Sequence, residues 1–163
     1  MFKFWERNGS GHKDSEAPVE SVLVPVTGEP SDDELVRMAC ELVVPRRGML
    51  HMLYVIEIER GFPVDVEIGP ATAKGEQVLS HMEELARTFK CKAEAELVQA
   101  RQAGSAVVRE SVDRKVDTVI LGVPNRQGHA ADFSIGQTVA YVLKNAPCRV
   151  IVWRDSLTNA DSP

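Results

Sequence analysis

Only three cysteines occur in the 163 residues, Cys40, Cys91 and Cys148, and no two of them stand at a paired spacing. So sparse and odd a set fits buried thiols in a reducing, cytoplasmic setting better than a disulfide framework. Long apolar runs are missing as well: none approaches the roughly 18–20 residues of a membrane span. The opening stretch "MFKFWERNGSGHKDSEAPVE" lacks the continuous apolar centre of a secretory signal. Positive charge is in short supply, with 19 Lys and Arg against 24 Asp and Glu and a net charge of −5. That balance argues against a nucleic-acid partner, which needs a basic face. The four histidines, His12, His51, His81 and His129, are scattered, and none has a Cys or His at ligand spacing. No metal site is therefore expected. No Ser–His–Asp or Cys–His arrangement can be argued, so the chain nominates no catalytic residue and is not expected to be an enzyme. There is no internal repeat.

What is present is an ordinary globular composition, 44% apolar and 26% charged, at a length that suits one domain with a full core. A flexible leader is expected over 1–19, although Phe2, Phe4 and Trp5 make it unusually apolar at its start. The domain itself is expected over 20–154, and a loose polar tail over 155–163. Between the ends the pattern alternates strand and helix five times. "SVLVPV" (21–26) is a near-continuous apolar run, as a strand buried on both faces requires. Pro25 falls at its end, where a missing ladder donor is tolerated. In "SDDELVRMACELVV", Ser31 and Glu34 form a capping-box pattern, and Leu35, Met38, Ala39 and Leu42 share a helical face. A second strand follows at 49–58, then the long connection "ERGFPVDVEIGP", a candidate lid or contact surface. A helix at about 71–89 carries Val78, Met82, Leu85, Ala86 and Phe89 on one side. A third strand lies near 93–100, and a short helix begins at Gly104 with Ser105 as its cap. The fourth strand is expected at 117–121, and a helix over about 135–145 buries Val139, Val142, Leu143 and Ala146. "CRVIVW" (148–153) is the fifth strand. Alternation of this kind implies a parallel sheet with helices on both faces, and ligands then bind beyond the carboxyl ends of the strands where the order reverses.

Two glycine-bearing loops lead from strand ends into helix starts: "VTGEPSDD" after the first strand, and "LGVPNRQGHAADFSIGQT" (121–138) after the fourth. Such a loop can cradle phosphate on free N–H groups. In the second loop Gly122, Gly128 and Gly136 are six and eight apart, which fits neither the dinucleotide fingerprint nor the P-loop. Ser134 and Gln137 also have capping-box spacing, which would occupy the donors that a phosphate needs. Asp132 and the trio Asp32, Asp33 and Glu34 repel phosphate at the loop mouths, whereas Arg126 and a protonated His129 attract it.

"VLVPVTGEPSDDELVRMACELV" and "ILGVP…GQTVAYVLKNAPCRVIVW" resemble the universal stress protein family over roughly residues 20–154. The resemblance implies a Rossmann-like fold: an open five-stranded parallel sheet in the order 3-2-1-4-5 with helices on both faces. Some family members bind ATP or AMP through an aspartate after the first strand and a glycine-rich loop after the fourth. Carried over, Gly122 matches the first glycine and Asn125 stands where the second belongs. Gly136 matches the last with the loop one residue longer, and Gln137 then Thr138 follow where Ser or Thr is usual. Thr27 replaces the aspartate. Pro25 and Val26 are kept, and Val55 could line the adenine slot.

These residues, with Arg126, are the candidate nucleotide-binding set, in a cradle that looks degenerate. The reading is a non-catalytic, dimeric stress-response module with at most weak adenine-nucleotide binding and no required cofactor. Two alternatives stay open: an ATP- or AMP-binding sensor with a variant phosphate loop, and a cytosolic regulatory partner of a membrane transporter. The resemblance also implies a homodimer paired through the fifth strand, Cys148 to Trp153, where an apolar edge would otherwise lie bare.

Overall fold

The computed structural model describes residues 17–123 and 136–154. Five parallel strands, β1 (Ser21–Val26), β2 (Met49–Glu57), β3 (Lys92–Ala100), β4 (Thr118–Val123) and β5 (Arg149–Arg154), form one sheet in the order β3-β2-β1-β4-β5. This is the expected order. Helices α1 (Asp32–Val43), α2 (Gly69–Thr88), α3 (Ala103–Asp113) and α4 (Gln137–Asn145) supply the crossovers, and a 3-10 turn (Val44–Arg46) follows α1. The apolar run of β1 is buried because helices cover both faces. Val22, Val24 and Val26 join Leu50, Met52 and Ile120 under α1 and α2. Leu23 joins Leu53, Val119 and Leu121 under α3 and α4. Period-two alternation along each strand thus splits the core into two halves.

Backbone parity explains the crevice described below. Glu20 accepts from the N–H of Met49 in β2, and Ser21 accepts from the N–H of Asp117 beside β4. Along a parallel strand the donors and acceptors of alternate residues point to opposite neighbours. Residues 21, 23 and 25 therefore face β4. At Pro25 the donor owed to β4 does not exist. The β1–β4 pairing stops at Leu23 opposite Val119, whereas β1–β2 pairing continues to Val26 opposite Tyr54.

Several local expectations are corrected. The Ser31–Glu34 capping box does not form: α1 has no side-chain cap, and Glu34 instead pairs with Arg37. The buried stripe of α1 is Leu35, Val36, Ala39, Cys40 and Val43, with Met38 and Leu42 at its margin. Ser105 sits inside the first turn of α3, bonding the carbonyl of Gln102, rather than capping it. Val142 is fully buried on α4, but Leu143 is 49% exposed. Gly122 belongs to β4 and not to the loop after it. The leader positions Phe2, Phe4 and Trp5, the tail 155–163, and Asn125, Arg126, His129, Asp132 and Ser134 lie outside the described residues.

The foot of the sheet is tied by a residue without a recognisable motif. Asp117 accepts the N–H groups of Glu20 and Ser21 at 2.8 and 2.9 Å, and the hydroxyl of Thr118 at 2.8 Å. Arg149 approaches the same carboxylate at 3.4 Å and also donates to the carbonyls of Ala17 and Pro18. Burial pushes the Asp117 carboxyl up. The backbone and hydroxyl donors, with Arg149, outweigh it and hold the group below its ordinary value.

Candidate binding crevice

Beyond the carboxyl ends of β1 and β4 lies a cavity of about 300 Å³. It sits where the strand order turns from β1 outward in both directions, the place at which open α/β sheets receive ligands. Pro25, Val26 and Thr27 from β1 and its loop, Val55 from β2, Gly122 from β4, and Gly136, Gln137 and Thr138 from the start of α4 all line it. The structure thus brings together every candidate residue that it describes.

Each wall has a local cause. The β1–β4 ladder parts at Pro25, so the two strand ends can separate. A Cβ at Gly122 would come within 3.2 Å of Leu35 Cδ2, so glycine lets α1 close over β4. Gly136 precedes α4 at φ +80°, a left-handed conformation that glycine adopts freely. It turns the chain so that the positive end of α4 meets the cavity.

Sequence reasoning missed part of the lining. Tyr54, Leu53, Leu121 and Val139 add apolar wall, and α3 contributes Ala103 and Val107. The N–H of Ala103 is capped at 2.7 Å by Glu57 from the end of β2, which fixes the start of α3 against the crevice. A strand-end glutamate is too common a feature to announce such a contact.

Asp32 stands in the sequence beside Asp33 and Glu34, but only 5% of its surface is exposed and it lines the cavity. One carboxylate oxygen accepts the N–H groups of both Thr27 and Gly28 at 2.8 Å. Burial pushes this carboxyl above its ordinary value, opposed by the N–H groups of Thr27, Gly28 and Glu29, while the charge of Glu29 adds to the push. Asp33, by contrast, has a half-exposed side chain and pairs with His81 at 2.9 Å. Glu29 is the second carboxylate on the lining, and no Lys, Arg or His occurs among the described residues that line it. Among the described residues no group of three His, Cys, Asp or Glu could hold a metal ion, and no helix is long and apolar enough to cross a membrane.

Strand order and crevice define the class: a doubly wound α/β domain with an open crevice at its switch point. The model of the universal stress protein family matches residues 18–154, and the chain belongs to that family. No curated protein matches it. Among solved structures, the universal stress protein from Archaeoglobus fulgidus aligns with a TM-score of 0.69 at 13% identity, covering 82% of this chain and 97% of that one. The structure of the Archaeoglobus fulgidus protein in complex with dAMP aligns at 0.66 and 13%, covering 82% and 96%. An Arabidopsis thaliana family protein with AMP bound aligns at 0.60 and 16%, covering 85% and 93%. At these identities the likeness concerns the fold.

Proposed function

We propose that this protein is a non-catalytic, dimeric stress-response module whose crevice holds an adenine nucleotide weakly, through its adenosine part. The observation that carries the reading is the cavity at the β1–β4 switch point, lined by all eight described candidate residues. The solved relatives with dAMP and AMP support adenine as the ligand class. Apolar walls from Val55, Leu53 and Val107 suit a purine ring, and the hydroxyls of Thr27 and Thr138 suit a sugar. Carboxylates at the same site oppose a polyphosphate.

Calorimetry with ATP and Mg²⁺ should show nothing tighter than about 0.1 mM, roughly −5.5 kcal/mol. A micromolar dissociation constant would favour the second reading, an ATP- or AMP-responsive sensor.

Dimerisation is proposed through β5, with the cytoplasm as the location. The two outer strands are unlike. β3 carries Lys92, Glu94 and Glu96, charges that discourage edge pairing. β5 exposes Ile151 and Val152 at 36% and 41%. Sedimentation as a monomer at micromolar concentration would overturn this part.

A further inference from the structure

We propose that Asp32 sets the ligand preference of the crevice, selecting the uncharged nucleoside over its phosphorylated forms. The inference rests on the adenosine reading above and adds to it a direction of selectivity. Three observations carry it. First, the Thr27 and Gly28 N–H groups, which a phosphate at this loop would need, are both taken by one oxygen of Asp32 at 2.8 Å. A phosphate must displace an intramolecular charge-assisted acceptor to reach them. Second, Asp32 is almost wholly removed from solvent yet lines the cavity, as does Glu29, and the described lining holds no cationic side chain to offset either. Carboxylates beside apolar walls are poorly screened. Two full negative charges outweigh the partial positive charge, about half a unit, at the start of α4, so each negative charge added to the ligand is penalised. Third, an ionised carboxylate only accepts hydrogen bonds. It suits the paired sugar hydroxyls of a nucleoside, and the residue after the first strand, Thr27, offers no such charge.

The test is calorimetry or NMR titration of the full chain with adenosine, AMP and ATP, without metal, at two salt concentrations. Adenosine should bind tightest and ATP about tenfold more weakly, the size expected for like charges about 10 Å apart in a partly screened site. Added salt should leave adenosine unmoved and strengthen ATP binding, because it screens a repulsion. Asp32→Asn should bring the adenosine-to-ATP ratio close to one. The salt dependence on the unaltered protein decides the matter even if this variant folds poorly. ATP binding more tightly than adenosine, or weakening with salt, overturns the proposal and leaves the crevice reading standing. Failure of all three ligands to bind overturns both.

Discussion

Replacing Asp117 by alanine should loosen the foot of the sheet, at a cost that the structure allows us to estimate. Its carboxylate receives two backbone N–H groups at 2.8 and 2.9 Å and one hydroxyl at 2.8 Å. Hydrogen bonds to a charged group contribute about 1.5–3 kcal/mol each when well shielded. The Asp117 side chain is 30% exposed, so water can replace part of what is lost, and the contact with Arg149 is on the surface. We therefore take about half of the lower value for each contact and expect a loss of about 2–3 kcal/mol for the three together. For a domain of this size that lowers Tm by about 5–10 °C. Urea unfolding followed by circular dichroism measures it directly. Because the folded carboxyl lies below its ordinary value, the folded state binds fewer protons than the unfolded chain in the acid range. The stabilisation is therefore complete above the unfolded value of about 4 and is lost as pH falls through the folded one. The gap between the native protein and Asp117→Asn should narrow over that acid interval. A loss below about 0.5 kcal/mol at neutral pH, within the range of ordinary surface substitutions, would refute the clamp.

Three further outcomes follow from the geometry. Gly122→Ala should change stability by less than about 1 kcal/mol, since the gain over glycine in a strand offsets the 3.2 Å approach to Leu35. Gly122→Val should lose about 1–3 kcal/mol by overpacking, and equal urea midpoints for the two variants would contradict this. His51 is held below its ordinary value by burial and by Arg114, against the pull of Glu94. The unfolded chain then binds the extra proton first, so stability should fall as pH drops just below about 6.5, and His51→Gln should flatten that slope in pH-dependent unfolding. Val152→Pro should split a β5-paired dimer while leaving the subunit folded, whereas Ile151→Pro should unfold it. The N–H of Arg149 bonds Asp117, so by alternation Ile151 faces β4 and Val152 faces the open edge. Sedimentation together with circular dichroism separates the two effects.

The strands were legible because β1 and β4 are buried on both sides, so their apolar runs leave little choice. The crevice lining was legible by another route: the family resemblance carried Pro25 and Gly122 to the candidate set, and the structure puts both on the cavity wall, where the backbone parts or is closely approached. What local pattern could not convey was the choice of partner among charged residues. Ser31 and Glu34 have capping spacing, but Arg37 lies within reach of Glu34 and takes it. Asp32, Asp33 and Glu34 look alike in the sequence, yet one is buried against a loop, one meets His81 across a helix pair, and one pairs within its own helix. Their roles are set by contacts with chain segments that sequence neighbours do not reveal. The shift of the α1 stripe toward Val36, Cys40 and Val43 has a related cause, since two elements, the sheet and α2, share that helix.

The strand order also governs how the molecule comes into being on the ribosome. Residues 21–100 contain β1, β2 and β3, three strands that are consecutive in the chain and adjacent in the sheet. That half can pair as it emerges, while the β4-facing side of β1 waits for a strand not yet made. At ordinary rates of synthesis the wait for the remaining residues through Arg154 is about 3–10 s. β1 is a temporary edge only until β4 is complete at Val123, about 1–5 s after β3, and Pro25, by withholding one donor there, makes the growing chain a poorer template for a neighbouring nascent copy.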